Sequence, residues 1–482
     1  MTGWQNESAL FTDFYSLTMA QGYWKKKSNQ QAVFEMSFRR QPFDGGYAIF
    51  AGLGTLLEQL ETFSFSNSDI DYLKSLGIFE EAFTDYLKSF RFNGCLWAVD
   101  EGTVVFPHEP LIRVQGSLIE CQIIEGMLLN TINFQSLIAT KTCRVWQASR
   151  KGSIMEFGLR RAQGPNGALS ASRAAYIGGA CGTSNALAGK IFGIPVMGTM
   201  AHSWVMSFPS EEEAFDAYAG LYPDRTVFLL DTYDTLKSGI NNAIKAGKKL
   251  AEKGRKFGVR LDSGDIQYLS TEVRKRLDEA DFKDARIIVS NELDESIIET
   301  LVKDGAPVDG WGVGTRMVTG SKDAGFTGVY KLAALLEEGR AVIPVMKLSD
   351  NPEKITYPGI KQVYRVKDSS GKAVADVIGL ALDAADEPKT GERYTFWHPA
   401  ADYRHFSHKV EDIKALLKPR IERGNLLEPP PSLEAIRTHV DTGLNQFDST
   451  YKRLLNPHLY KVSITEKLRS LKLDLIQKRL GN

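Results

Sequence analysis

The chain has 482 residues, of which 43% are hydrophobic and 24% are charged, and its 59 basic residues balance 59 acidic ones. The zero formal charge disfavours the broad basic surface that non-specific nucleic-acid binding requires. The chain contains no run of about 18 apolar residues and no signal-peptide pattern, and its four cysteines form no C-x-x-C pair. We therefore expect a cytoplasmic protein with no membrane span, no nucleic-acid partner and no metal site of its own.

The first 150 residues mix helical and extended patterns. Apolar periodicity after residues 6–8 predicts a helix that ends near Tyr23, and residues 32–38 alternate like a strand. Residues 49–63 again have helical spacing. Three short strands and then a long helix, or a pair of helices, are predicted at residues 96–99, 103–106, 111–116 and 120–146.

Glycine is concentrated in one segment. Ten of the 42 glycines lie within residues 152–198, which also contain aromatic and branched apolar residues. Glycine gives up side-chain packing and costs backbone entropy, so this density indicates tight turns or a close approach of the backbone to a ligand. A flexible linker would contain fewer aromatic and β-branched residues. We therefore expect packed structure around a ligand.

After residue 193 short β-branched runs alternate with helical runs, and polar residues follow the predicted strands. Asp231, Asp262 and Asn291 stand about 30 residues apart, which is the length of one βαβ unit. This alternation predicts parallel strands, and in a closed (β/α) barrel the chemistry lies at the carboxyl ends of the strands. The predicted strands are residues 195–199, 227–230, 258–261, 287–290 and 310–313, and the predicted helices are residues 211–218, 237–253, 266–277 and 295–303.

The predicted fold class is α/β, with an irregular (β/α) barrel over residues 151–340 that carries the site. A second, mixed α/β domain combines residues 1–150 with residues 341–482. The chain ends in a charged helical tail that follows three prolines at 429–431. Extended patterns precede this tail at residues 342–346, 361–366 and 374–378.

The chain lacks the G-x-x-x-x-G-K-[ST] and G-x-G-x-x-G motifs, which argues against a P-loop ATPase and a Rossmann dehydrogenase. Phe157 is suited to stacking on a flat ring, and Arg160 and Arg161 offer planar forks for a carboxylate or a phosphate. His202 ends an apolar strand-like run. A hydrogen-bonded core histidine is the alternative interpretation of that position.

Two further clusters predict phosphate recognition. Arg260 and Asp262 are two residues apart on a predicted strand and therefore point to the same face. The Ser-Gly-Asp turn that ends at Asp265 can direct backbone N–H groups at an anion. The run G-W-G-V-G-T, which ends with Gly314 and Thr315, has the composition of a phosphate cradle.

Seven segments in chain order resemble the nicotinate phosphoribosyltransferase family. They extend over nearly the whole chain, so the resemblance does not rest on a single motif. The segments are F-T-D-F-Y-S-L-T-M-A at 11–20, E-F-G-L-R-R-A-Q-G-P-N-G at 156–167, C-G-T-S-N-A-L-A-G at 181–189, G-T-M-A-H-S-W at 198–204, R-L-D-S-G-D at 260–265, G-V-G-T at 312–315 and Y-K-R-L-L-N-P-H at 451–458.

The resemblance implies an enzyme of NAD salvage that joins nicotinate to phosphoribosyl pyrophosphate. The products would be nicotinate mononucleotide and pyrophosphate, and ATP hydrolysis would drive the reaction. The resemblance also implies ATP as a co-substrate, Mg²⁺ bound with the pyrophosphate, and a homodimer with shared active sites. In that dimer Tyr15 of one protomer would stack on the nicotinate bound by the other.

The implied base site contains Phe157, which would stack on the pyridine ring opposite the tyrosine. Arg160, or else Arg161, would hold the nicotinate carboxylate or a neighbouring phosphate. Ser184 and Asn185 stand where the related nicotinamide enzyme carries an aspartate. Because a carboxylate there would repel the carboxylate of nicotinate, the neutral pair favours the acid over the amide.

The implied sugar and phosphate site contains Arg260 and Asp262, which we expect to act in catalysis. A carboxylate near the ribose suits the oxocarbenium-like state of substitution at the sugar carbon. His202 matches the histidine that becomes phosphorylated in the family. The other implied substrate-binding residues are Ser203, Asp265, Asn291, Gly314 and Thr315.

Three alternatives remain open. The base could be quinolinate or nicotinamide, although quinolinate enzymes are shorter and release CO₂. A barrel lyase or aldolase would need a Schiff-base lysine at a strand end, for which Lys331 and Lys347 are the candidates. A non-catalytic binding protein of the NAD pathway is the third alternative, and the polar strand ends argue against it.

Overall fold

The computed structural model describes residues 8–27, 29–337, 342–349, 356–399, 401 and 403–481. The chain divides into two compact units. Ile138–Ala324 forms a central unit, and the residues on either side of it form a flanking unit. Both units contain helices and strands, which confirms the mixed α/β class. The division into domains predicted at residues 150 and 340 stays a prediction.

The flanking unit contains a seven-stranded sheet, a six-stranded sheet and a two-stranded ribbon. The seven strands, in spatial order, are β13 (Ile343–Pro344), β12 (Gly328–Leu336), β1 (Gln31–Phe38), β5 (Ile112–Ser117), β3 (Cys95–Ala98), β19 (Lys418–Glu422) and β20 (Asn425–Leu426). The six strands are β17 (His405–Lys409), β16 (Arg393–Trp397), β21 (Val462–Ile464), β15 (Ala373–Leu380), β14 (Lys361–Lys367) and β18 (Asp412–Ala415). The ribbon pairs β2 (Ala48–Ile49) with β4 (Val104–Val105).

Helices cover this unit, and one of them runs on into the central unit. No helix in the described ranges combines the length and the apolar composition that a membrane crossing needs. The segment predicted as one long helix or two is two, because the first helix ends at Ile123 and the second begins at Glu125. A capping box of Ser117 and Glu120 begins the first of them. The helices are α1 (Phe14–Lys26), α2 (Leu53–Thr62), α3 (Asn67–Ser75), α4 (Glu81–Lys88), α5 (Leu118–Ile123), α6 (Glu125–Ala148), α15 (Leu433–Leu444) and α16 (Glu466–Leu480).

Two predicted helices begin later than the periodicity suggests. The first begins at Phe14, because Ser8 pairs with Ser64 in an isolated bridge and donates to Asp69 at 2.6 Å. Residues 6 and 7 lie outside the described residues. The second begins at Leu53, because residues 48–49 belong to the ribbon. Tertiary pairing overrides local periodicity at both places.

The central unit is built on a six-stranded sheet in which every neighbouring pair is parallel. Most residues of its strands are apolar and buried, as in parallel strands covered by helices, whereas Ser153 and Arg286 at two strand starts are exposed. In spatial order they are β7 (Gly182–Thr183), β6 (Ser153–Glu156), β11 (Gly310–Val313), β10 (Arg286–Val289), β9 (Gly258–Leu261) and β8 (Val227–Leu229). The helices are α7 (Gly164–Ile177), α8 (Ala186–Phe192), α9 (His202–Met206), α10 (Glu211–Leu221), α11 (Ile240–Ala251), α12 (Ile266–Glu279), α13 (Glu295–Lys303) and α14 (Thr315–Val318).

The strands predicted at 227–230, 258–261, 287–290 and 310–313 are confirmed to within one residue at each end. The strand predicted at 195–199 is wrong, because Val196 makes only an isolated bridge to Thr183. In the described part of the chain the sheet keeps two edges, β7 and β8, and closes nowhere. The structure therefore does not confirm the predicted closed barrel. Residues 195–199, which would extend the sheet beyond β7, do not form a ladder.

Candidate active site

Polar side chains gather at one edge of the parallel sheet. Because all six strands run in the same direction, their carboxyl ends meet there. Arg260 and Asp262 come from the end of β9, and Ser290 follows β10. Phe157 follows β6 and Ser184 follows β7. The structure therefore places these predicted residues at the carboxyl ends of parallel strands.

Arg260 is the centre of this arrangement. Its Nε donates to the hydroxyl of Ser290 at 2.8 Å, and its Nη1 donates to that of Thr199 at 2.8 Å. Its Nη2 donates to Asp262 Oδ1 at 2.9 Å, and Ser290 donates to the same oxygen. The Arg260 side chain is 13% exposed, so a planar cation stands in a fixed orientation at the mouth of the sheet. The motifs do not predict Thr199 and Ser290 as its partners.

His202 lies beside this cluster at the start of α9. Its Nε2 is 3.7 Å from Asp262 Oδ2, and its Nδ1 is 3.2 Å from the hydroxyl of Thr232. The side chain is 41% exposed, so the alternative of a core histidine is wrong. Ser203 follows it and is also exposed. The imidazole therefore lies within reach of both a carboxylate and solvent.

Asp231, at the end of β8, supplies a second carboxylate. Its Oδ2 accepts from Ser263 at 2.5 Å, whereas its buried Oδ1 has no hydrogen-bond partner among the residues that the structure describes. Asp265 is exposed and caps α12 by accepting from the backbone N–H of Tyr268 at 3.0 Å. Gly264, in the turn between Ser263 and Asp265, has a φ of 82°, a conformation that favours glycine.

Phe157 packs against a glycine of the neighbouring strand. A Cβ at Gly312 would lie 2.6 Å from the ring of Phe157 and 3.2 Å from Ser290 Cβ, so no side chain fits there. The Arg260 Cζ lies 5.6 Å from the centre of the Phe157 ring. The ring is only half-buried, which leaves area for a second flat group.

Glu156 holds the turn that carries Phe157. Its carboxylate accepts from Thr183 Oγ1 at 2.5 Å, from Ser172 Oγ at 2.9 Å and from the backbone N–H of Gly158. The side chain is buried, with 1% relative exposure, and these donors stabilise its charge. The signal that the sequence offers for this role is a glutamate at the end of an apolar, strand-like run.

Four further residues predicted at the base site differ in their surroundings. Arg160 and Arg161 are exposed on a single 3-10 turn at Leu159–Arg161. Ser184 is exposed at the end of β7. Asn185 is 2% exposed, and its side chain caps α8 by accepting from the backbone N–H of Ala188 at 3.2 Å. The fold therefore already uses the amide of Asn185, while the other three side chains remain accessible.

A second polar cluster joins the ends of β10 and β11. Thr315 Oγ1 donates to Glu292 Oε1 at 3.3 Å, and Arg316 Nη1 lies 2.7 Å from Asp294 Oδ2. The hydrogen bond that Arg316 donates to Asp294 is the main cause of the raised pKa of Arg316. Asn291 is exposed, with a φ of 97° that is unusual for a residue with a side chain.

Gly314 precedes this cluster with a φ of −116° and a ψ of −106°. A Cβ at this position would lie 3.1 Å from the carbonyl oxygen of Phe157. The glycine therefore lets the ends of β6 and β11 approach each other closely. Neither Glu292 nor Arg316 is predicted by the motifs, although both follow strand ends.

Tyr15 lies in the flanking unit on α1 and is 48% exposed. Its hydroxyl donates to Glu125 Oε2 at 3.1 Å, and partial burial together with that carboxylate raises the pKa of Tyr15. Lys331 and Lys347 line one pocket of the same unit. Lys331 lies on antiparallel β12 and Lys347 follows β13, so neither stands at an end of the parallel sheet. This placement argues against the lyase alternative.

No group of three or more His, Cys, Asp or Glu side chains in the described ranges is arranged to hold a metal ion. Asp231 and Asp262 are nevertheless hard oxygen donors at neighbouring strand ends. Mg²⁺ is commonly held by one or two carboxylates together with substrate phosphates and water. The two carboxylates, one with an unpartnered buried oxygen, fit that kind of binding.

Comparisons with known proteins agree with the motifs. The models for the N-terminal domain, the family and the C-terminal domain of nicotinate phosphoribosyltransferase match residues 10–133, 153–369 and 360–472. The nicotinate phosphoribosyltransferase of Bacillus subtilis is 41% identical over 480 residues, which cover 98% of this chain and 96% of that protein. The Homo sapiens protein of the same name is 34% identical, over 96% of this chain and 95% of its own.

Solved structures give the same result for the fold. The crystal structure of human nicotinic acid phosphoribosyltransferase matches with a TM-score of 0.85 and 31% identity, over 96% of this chain and 99% of that chain. The crystal structure of nicotinate-nucleotide pyrophosphorylase from Pyrococcus furiosus matches with a TM-score of 0.69 over 91% of this chain and 95% of that chain. At 23% identity, the second match shows similarity of fold alone.

Proposed function

Because the chain belongs to the nicotinate phosphoribosyltransferase family, we propose that it transfers the phosphoribosyl group of phosphoribosyl pyrophosphate to nicotinate. The bond from the sugar carbon to pyrophosphate breaks, and pyrophosphate leaves with the electron pair. The pyridine nitrogen forms the new bond, which gives nicotinate mononucleotide. The reaction belongs to NAD salvage.

The observation that carries this proposal is the orientation of Arg260 between Asp262 and Phe157. Asp262 fixes the guanidinium at 2.9 Å, and the ring of Phe157 lies 5.6 Å from it. A pyridine stacked on Phe157 would stand next to a cation and a carboxylate. The carboxylate stabilises positive charge that develops on the ribose, and the cation stabilises the departing pyrophosphate.

The strand ends supply the remaining contacts with substrate. Gly314 and Thr315 are proposed to bind the 5′-phosphate, and Asp265 and Asn291 to contact the phosphoribosyl group. Asp231 and Asp262 would hold Mg²⁺ together with pyrophosphate oxygens, and the ion would neutralise the charge of the leaving group. Ser203 lies beside the phosphoryl-accepting histidine.

Nicotinate itself would be recognised through its charge. Arg160 or Arg161 is accessible to its carboxylate, and an arginine fork pairs with a carboxylate bidentately. Ser184 adds no negative charge to this edge. Since Asn185 is buried and caps a helix, its contribution to the base site is to position Ser184.

The test of the reaction is an assay with radiolabelled nicotinate and phosphoribosyl pyrophosphate, with and without ATP. Nicotinate mononucleotide should form, and ATP should increase its rate of formation. Two further assays test the alternatives. For the quinolinate enzyme, quinolinate is supplied as the base and release of CO₂ is measured. For the lyase or aldolase, borohydride trapping is attempted with a carbonyl substrate. Product from quinolinate, or trapped carbonyl, would contradict the proposal.

ATP coupling is proposed to proceed through His202. A neutral imidazole nitrogen attacks the γ-phosphorus, an N–P bond forms as the bond to ADP breaks, and water later releases phosphate. His202→Ala should abolish nicotinate-stimulated ATP hydrolysis and acid-labile incorporation of ³²P from γ-labelled ATP. Some ATP-independent synthesis should survive. His405→Ala, on exposed β17, is the control, and wild-type labelling of His202→Ala would contradict the assignment.

A homodimer with shared sites completes the proposal. Tyr15 is half-exposed on α1, and its ring is proposed to cover nicotinate bound by the partner. A mixture of inactive Tyr15→Ala and inactive Arg260→Ala chains should regain activity in heterodimers that contain one intact site. A chain that sediments as a monomer, or a mixture without activity, would contradict shared sites.

A further inference from the structure

Glu292 lies on the loop between β10 and α13, with 57% of its side chain exposed, yet its carboxylate faces two donors of the next strand end. Its Oε1 accepts from Thr315 Oγ1 at 3.3 Å. Its Oε2 lies 3.6 Å from Arg316 Nε. A negative charge thus occupies one side of the turn that follows the glycine-rich strand.

Asp294, two residues further on, also contacts Arg316, but its side chain is buried and anchored by the backbone. Its side chain is 5% exposed, its Oδ2 lies 2.7 Å from Arg316 Nη1, and its Oδ1 accepts from two backbone N–H groups of α13 at 3.0 Å. Burial raises the pKa of Asp294, but the backbone N–H of Ile297 and the Arg316 side chain outweigh it, and the net pKa is lowered. Asp294 is therefore fixed in place.

Glu292 has no comparable anchor. Its carboxylate contacts the hydroxyl of Thr315 and the guanidinium of Arg316, and its exposed side chain can turn into water. A phosphate group that accepts from Thr315 would need the same hydroxyl, and it would stand close to the Glu292 carboxylate. The negative charges of the phosphate and of the Glu292 carboxylate would repel each other, even though solvent weakens this repulsion.

We propose, on the basis of the proposed function, that Glu292 acts as a resident anion that competes with the 5′-phosphate of phosphoribosyl pyrophosphate for Thr315 and Arg316. The carboxylate holds both side chains in position and must turn away when the phosphate binds. Glu292 therefore lowers the affinity for the phosphoribosyl donor. It acts through Thr315 and Arg316 and is a positioning residue.

The experiment compares wild-type protein with Glu292→Gln by isothermal titration with phosphoribosyl pyrophosphate. The amide keeps the size of the side chain and can donate to a phosphate, so the Kd should fall about fivefold. The difference in Kd between the two proteins should shrink at high salt, because salt screens the repulsion between the solvent-exposed Glu292 carboxylate and the phosphate. Glu299→Gln removes the same charge from α13, where the partly exposed Glu299 pairs with Lys303 at 3.2 Å, and should leave the Kd unchanged.

Kinetics separate this role from a purely structural one. Glu292→Gln should lower the KM for phosphoribosyl pyrophosphate without raising kcat, and the KM for nicotinate should not change. Glu292→Ala should also tighten binding, whereas Arg316→Gln should weaken it. An equal or higher Kd in Glu292→Gln, with wild-type thermal stability, would overturn the inference. Failure of the wild-type protein to bind phosphoribosyl pyrophosphate would instead contradict the proposed function.

Discussion

Arg260 Nη2 donates to Asp262 Oδ1 at 2.9 Å, and the two residues stand two positions apart at the end of one strand. The neighbouring strand completes the arrangement, because Ser290 accepts from Arg260 Nε at 2.8 Å. The guanidinium is thus oriented by the fold before any substrate arrives. Such preorganised charge is the main way in which a protein stabilises a transition state.

Replacement of Arg260 by lysine should separate charge from geometry. Lysine keeps the cation but cannot donate to Ser290, Thr199 and Asp262 together. We expect kcat/KM to fall about tenfold to hundredfold, which corresponds to the loss of one charge-assisted hydrogen bond. Steady-state kinetics with both substrates measure this. Arg255→Lys, at an exposed surface pair with Asp224, is the control and should behave like wild type.

Gly312→Ala should disturb the base site specifically. The added Cβ would lie 2.6 Å from the Phe157 ring, which must move. We expect the KM for nicotinate to rise about tenfold, since stacking of aromatic groups contributes about 0.5–1.5 kcal/mol and its loss comes with misplacement of the ring. Gly310→Ala on the same strand is the control, because the nearest atom to its Cβ would be the flexible end of Met155 at 3.3 Å, and the other neighbours, Ile288 Cγ1 and the Ser153 carbonyl oxygen, lie at ordinary contact distances of 3.5 and 3.8 Å. Equal effects of both substitutions would contradict the assignment.

Ser184→Asp should reduce the preference for nicotinate over nicotinamide. Ser184 is exposed at the strand edge, so an aspartate there remains charged and repels the carboxylate of nicotinate. We expect kcat/KM for nicotinate to fall about tenfold while that for nicotinamide is maintained or rises. Ser184→Asn has the same shape without the charge and should keep the preference. A wild-type ratio of the two bases in Ser184→Asp would exclude this contact.

Glu109→Gln should change how stability depends on pH. Glu109 is 1% exposed, and burial together with the nearby negative charge of Asp376 raises its pKa well above the usual 4.5. The folded chain therefore binds the proton more tightly than the unfolded chain. The contribution of protonated Glu109 to stability is complete below pH 4.5 and is lost as the pH rises through the raised pKa of Glu109 in the folded chain.

Glutamine imitates the protonated carboxyl and cannot ionise. The free energy of unfolding of Glu109→Gln should therefore equal that of wild type near pH 4 and exceed it by about 1–3 kcal/mol near pH 8. Urea unfolding across this range measures the difference, and Glu411→Gln at an exposed position is the control. A difference that does not grow with pH would show that Glu109 is ionised in the folded chain.

Much of the central unit can be predicted from local patterns. The strands at 258–261 and 310–313 are predicted to the residue, since an apolar run that ends in a polar residue or a glycine is a local signal. The strand at 195–199 could not be predicted correctly, because its apolar residues look alike whether or not a partner strand pairs with them. Because local patterns do not show which strands pair, they also led to the prediction of a barrel, whereas the sheet observed in the described residues has two edges.

The order of most strands and helices, and the polar residues that end the strands, can be predicted from local patterns, because both depend on neighbours along the chain. What those polar atoms contact depends on the three-dimensional fold. Arg260 meets Thr199 across 61 residues and Ser290 across 30, and Asn185 caps a helix with the amide that the motif offers to substrate. A hydrogen bond depends on distances in space. Those distances are set when the parallel strands align, and no spacing along the chain encodes them.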